Sequence, residues 1–137
     1  TGEAKDGSLL HGGKGYLQLV GSRRLSTELG DLVEAVNKAE KLGFVFDYNI
    51  DADGHPQNIY CRSDHYEYAR YGIPVVFMTT GGHADYHQVT DEPHYIDYDH
   101  MADVSRLVMA SAMKIANLDH RIVVDKPKPN PKGACVQ

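Results

Sequence analysis

No stretch of this chain approaches the roughly 18 consecutive apolar residues a transmembrane helix needs, so no membrane span is expected. There is no dense basic stripe. Fourteen Lys and Arg against nineteen Asp and Glu give a formal charge of −5, which removes the electrostatic footprint of a nucleic-acid binder. Cysteine is scarce: Cys61 and Cys135 alone. Two thiols allow one disulfide, but spacing does not decide it, and Cys135 falls in what reads as a loose tail. No internal repeat is present. No secretory leader is legible at the start, and since Thr1 is not Met, a targeting segment can have been removed ahead of it.

What remains is a globular composition. The 137 residues are 42% hydrophobic and 24% charged, enough for one domain with a real core. Nine tyrosines and eight histidines are many at this length. The plain expectation for His11, His55, His94, His100 and His120 is a solvated ring.

Residues 1–14 are Gly-rich and polar and read as a loop or frayed start. Tyr16 to Val20 reads as a strand stopped by Gly21. Ser26 or Thr27 can cap a helix to about Leu42, with Leu29, Leu32, Val33, Val36 and Ala39 at helical spacing and Gly43 as its C′ residue. Phe44 to Tyr48 is extended. Asp51-Ala52-Asp53-Gly54 invites a calcium-loop reading, but the twelfth position from Asp51 is Arg62, not Glu, so a plain turn is expected. Ser63 is a natural N-cap for a short helix to Gly72, with Asp64 at the positive end of its dipole. Ile73 to Met78 is apolar and reads as a buried strand. Asp97 or Asp99 caps a long helix from about His100 to Leu118, with Met101, Val104, Leu107, Val108, Ser111, Ala112 and Ile115 as its stripe. The segment Lys126 to Lys132, with three prolines, cannot be helix and reads as extended or disordered. Strands alternating with helices predict an α/β layer with a largely parallel sheet. Residues 15–120 form its body and 121–137 a Pro/Lys-rich tail.

The chemistry gathers after the Ile73–Met78 run. Gly81-Gly82 ends that strand, and His83, Asp85, Tyr86, His87 and Asp91 follow within eleven residues of Gly81. Loops at the ends of buried strands are where α/β proteins place their sites. An imidazole can ligate a metal, a carboxylate can orient it, and a phenol can donate to an oxyanion. Spacing alone favours a chance cluster, since one histidine is not a metal site. His83 and His87 sit in glycine-led loop sequence, not on a zinc-binding helix.

Four blocks in series say more. Arg62-Ser63-Asp64-His65, then Gly72-Ile73-Pro74, then His83-x-Asp85-Tyr86-His87-x-x-Thr90-Asp91, then Ile96-Asp97 resembles the C-terminal half of the co-catalytic dizinc aminopeptidases, metallopeptidase family twenty-eight, relatives of glutamate carboxypeptidase and the glutaminyl cyclases. The likeness spans about residues 16–118. It implies a mostly parallel, zinc-exopeptidase-like sheet flanked by helices. It implies that His87 is the last ligand of one of two zincs and that Tyr86 donates to the tetrahedral intermediate. By the same resemblance Arg62 and Asp64 lie near the substrate cleft, while Asp85 and Asp91 line the pocket or support the ligands, and Thr90 and Asp91 fix the loop.

The departures are equally specific. The family's five-ligand site and its glutamate base use a His-x-Asp block, a Glu-Glu pair and a further Asp ahead of the matched region. No Glu-Glu pair occurs in this chain. The reading is therefore one part of a zinc exopeptidase, inactive alone, expected to need an N-terminal half or to self-associate through an exposed sheet. A peptide is the expected substrate, and an exported location follows from the family tendency. The alternatives are a non-catalytic binding or structural relative and a glutaminyl cyclase.

Overall fold

The computed structural model describes residues 13–137. The expectations for His11 and for residues 1–12 lie outside it. Tyr16–Val20 is strand β1, and all five of its residues are buried. Helix α1, Thr27–Ala39, follows, and then strand β2, Val45–Asp47. Single 3-10 turns at Asn49–Asp51 and Ile59–Cys61 lead to helix α2, His65–Ala69. Strand β3, Phe77–Thr79, and helix α3, Tyr98–Ala116, complete the order.

The sheet is three-stranded in the order β2-β1-β3. β2 runs parallel to β1, with Val45 opposite Tyr16. β3 runs antiparallel to it, with Met78 opposite Leu19. The α/β class is as expected, but the sheet is mixed. A parallel return needs a crossover about as long as the strands it joins, usually a helix. Between β1 and β2, α1 supplies that crossover. The connection to β3, residues 48–76, holds only 3-10 turns and the five-residue α2, and it brings the chain back antiparallel to β1. Alternation of elements alone could not show this. The apolar run is also less strand than expected: Ile73 is half exposed and the ladder begins only at Phe77.

Strand alternation divides the core. Leu17 and Leu19 pack with Leu29, Val33 and Val36 of α1, with Phe44, and with Leu107 of α3. Val20 belongs to a second cluster with Leu25, Ile50, Tyr60, Tyr66 and Ala69. Of the stripe expected on α3, Leu107 and Ser111 are buried, and Val104 and Ile115 join the core edge. Met101 and Val108 stay about half exposed, as do Met109 and Met113.

Both long helices are capped by the residues their sequences offered. Ser26 Oγ accepts from the Leu29 N–H at 3.0 Å, and Asp97 Oδ1 accepts from the His100 N–H at 2.9 Å. The end of α1 differs from expectation. It stops at Ala39, Lys41 takes the left-handed conformation at φ 54°, and the Leu42 N–H returns to Asn37 O at 3.1 Å. On α2 neither Ser63 nor Asp64 caps: Asp64 holds the N-cap position but its side chain makes no capping bond.

The Asp51–Gly54 segment is a turn, and its lead carboxylate is engaged. Asp51 accepts from Arg24 Nε at 2.7 Å and from the Gly21 N–H at 2.8 Å. Gly21 has φ +84°, a conformation that calls for glycine, and a Cβ there would also crowd Val75 at 3.1 Å and Tyr60 at 3.3 Å.

The tail is extended as expected but not loose. Cys135 is disulfide-bonded to Cys61. Asp125 Oδ1 accepts from the Thr27 N–H at 2.9 Å, and Arg70 donates to Pro131 O. Gln137 is buried; its amide donates to Ile50 O at 2.6 Å and accepts from the Tyr60 N–H at 2.8 Å.

Candidate active-site loop

β3 ends at Thr79, whose hydroxyl accepts from the Gly81 N–H at 3.1 Å. Gly81 then turns the chain away at φ +89°, a conformation that suits glycine. Three tight turns follow. The Tyr86 N–H donates to His83 O at 3.1 Å, the Gln88 N–H to Asp85 O at 2.8 Å, and the Asp91 N–H to Gln88 O at 3.1 Å. Across them the Thr90 hydroxyl donates to Asp85 Oδ1 at 2.6 Å, and His83 Nε2 lies 3.9 Å from Asp91 Oδ2.

At the crest the Tyr86 and His87 rings stack with centroids 3.9 Å apart and planes 19° apart. The edge of His83 faces Tyr86 at 6.1 Å. His87 is left-handed at φ 60°. Tyr86 is 50% exposed.

Beneath the loop lies a cleft of about 780 Å³, bordered by His83, Asp85, Asp91, Tyr95, Asp97 and His100 among others. Tyr86 and His87 do not line it. The Asp97 carboxyl is held below the usual carboxylate range, chiefly by the His100 N–H it accepts. His100 is not the solvated ring expected. It meets Phe44 edge-on at 5.6 Å, its Nε2 is buried without a hydrogen bond, and burial pushes its imidazole down. His120 is also engaged: its two nitrogens meet Asp119 and Glu28, each at 2.7 Å, and these carboxylates hold its pKa up. His65, read from sequence only as part of a helix opening, stacks on Phe77 at 4.9 Å; burial pushes it down. Its neighbour Phe77 in the strand pattern was the available signal.

The structure thus gathers Asp85, Tyr86, His87 and Asp91 in one loop. Among the described residues, no hydrogen bond or ion pair joins Arg62 or Asp64 to them. Arg62 donates to Gln57 O at 3.3 Å, and Asp64 stands exposed at the start of α2.

Zinc is the metal the resemblance implies. The exposed His87 imidazole makes no hydrogen bond, so it suits one corner of a zinc site. Among the described residues, however, no group of three or more His, Cys, Asp or Glu could hold a metal. These residues fit one ligand position and not a whole site.

The sequence model of peptidase family M28 matches residues 13–112, which include every element from β1 through most of α3. The chain belongs to peptidase family M28. That is a family of hydrolases that cleave peptides and typically depend on zinc. No curated protein and no solved structure matches the chain.

Proposed function

We propose that this chain supplies one wall of the active site of a zinc-dependent exopeptidase, of aminopeptidase type, acting on the N-terminal bond of a peptide. The carrying observation is the crest of the loop. Tyr86 and His87 stand side by side with free polar ends, while Asp85, Thr90, His83 and Asp91 are occupied with one another. In this reading the exposed His87 imidazole holds one zinc. Bound zinc would polarise the scissile carbonyl and lower the pKa of water. The Tyr86 hydroxyl donates a hydrogen bond to the oxygen that gains charge as the carbonyl becomes tetrahedral. Asp85 and Asp91 act behind them, and Arg62 and Asp64 belong to the outer substrate contacts.

The remaining ligands and the base come from residues beyond this chain, in an N-terminal half of the same domain. Two features support an incomplete assembly: among the described residues β2 and β3 are both edge strands, and α3 leaves four apolar side chains about half exposed. Alone, the chain is expected to self-associate and to be inactive. The disulfide supports an exported location.

The test has two parts. The purified chain is expected not to hydrolyse an aminoacyl-nitroanilide; turnover would remove the two-part reading. In the complete enzyme, His87→Ala should lose zinc and hydrolysis, and Tyr86→Phe should lower kcat more than it raises KM. Full zinc binding and activity in His87→Ala would end its assignment as a ligand.

A further inference from the structure

Three non-glycine residues have positive φ among those described: Lys41, Asn58 and His87. Lys41 sits where α1 ends, held by the bond from the Leu42 N–H to Asn37 O. Asn58 has the short polar side chain that tolerates this region. His87 is the third residue of the tight turn that the Gln88 N–H closes onto Asp85 O at 2.8 Å, and histidine is one of the side chains found more often than most in this region. His87 lies on no helix end, and its bulky ring crosses a surface loop where residues 86–92 are all exposed. Packing does not hold this segment: Val89, two residues on, is 98% exposed. Beyond the turn's own backbone bond, whatever holds His87 in this sparsely used conformation must also be local.

We propose that Asp85 and Thr90 are positioning residues for His87 and Tyr86. Their 2.6 Å hydrogen bond closes the loop across the four residues between them. It fixes the left-handed turn at His87 and with it the stacking of its ring on Tyr86. A hydroxyl donating to a carboxylate is among the stronger neutral-to-ion hydrogen bonds, which suits it to oppose the strained conformation. His83 and Asp91, at 3.9 Å, form a looser outer tie. The two free side chains are thereby presented as a preset pair. This inference rests on the reading of Tyr86 and His87 given above.

The test is nuclear magnetic resonance on the 137-residue chain. The left-handed backbone is read from the one-bond Cα–Hα coupling of His87. The stacking is read from ring-current displacement of its imidazole protons and from their cross-relaxation with Tyr86. Thr90→Val removes the donor at nearly constant shape and should lose both signatures. Thr90→Ser restores the hydroxyl and should keep them. Asp85→Ala removes the acceptor and should reproduce the loss, so the outcome does not hang on one variant. The thermal transition should be the same in all three. Retention of both signatures in Thr90→Val and Asp85→Ala overturns the proposal. The role of the pair in the site is read separately, by zinc titration of the complete enzyme. A loop that opens in Thr90→Val with unchanged zinc affinity would leave the clasp standing and remove His87 from the metal centre.

Discussion

Two regions of this molecule are held in different ways. The surroundings of β1 and the disulfide are tied many times over. Arg24, Asp51 and Gly21 interlock, Gln137 threads between Ile50 and Tyr60, and the Cys61–Cys135 bond closes over them. The loop from Gly81 to Asp91 has three turn bonds, one side-chain clasp and little burial. The first region spends its polar groups on itself. The second leaves a phenol and an imidazole with open valences. In the proposed reading, stability and reactivity are drawn from separate parts of the chain, as expected when a rigid scaffold carries a chemical loop.

The sharpest way to break this contrast is at the disulfide. The two cysteines are 74 residues apart, and removing a link of that span by Cys135→Ser should cost roughly 4 kcal/mol in the chain-entropy account. Denaturant titration under oxidising conditions measures it. A loss under about 1 kcal/mol would mean that tail contacts alone fix that region. Leu19 is fully buried between the sheet and both long helices, and Leu19→Ala should cost about 3 kcal/mol by the same measurement.

Acid should act next, and on the scaffold. Burial against Phe77 and Tyr60 holds the His65 pKa below its ordinary value of 6.5. The folded state then binds fewer protons than the unfolded one in the window below 6.5. Stability contributed by neutral His65 is present above that value and is lost as pH falls toward the folded pKa. His100 has the same sign. His120 has the opposite one: its raised pKa gives stability that is full below 6.5 and lost as pH rises through the folded value. Denaturation midpoints between about pH 5 and 7 should fall toward acid, and His65→Phe should flatten that limb. An unchanged slope in His65→Phe would assign the acid limb elsewhere. The smallest effect belongs to the loop. Val89→Ser should change stability by less than about 0.5 kcal/mol, and a larger loss would show that the loop bears on the core.

The sequence was most legible where structure is local. Ser26 and Asp97 announced their helices because capping is settled within three residues. Leu29, Val33 and Val36 showed the buried face of α1 by spacing alone. The direction of β3 was hidden, because the largely irregular connection of residues 48–76 is long enough to return the chain either way. The disulfide was hidden for the same reason: two cysteines far apart in sequence meet only through the path of the tail. Within the candidate site, Asp85, Tyr86, His87 and Asp91 were legible as one segment. What sequence could not supply was the Asp85–Thr90 bond and the left-handed turn at His87, which are facts of loop closure.

The disulfide has one more consequence, a topological one. It makes residues 61–135 a covalent ring that contains α2, β3, the exposed loop and α3. A protease that cuts once at the loop crest therefore opens the ring without releasing a piece. The nicked molecule keeps its mass, apart from one added water, until the sulfur link is reduced, and only then parts into two. An exposed surface loop is thus insured against a single cut by a bond far away in sequence.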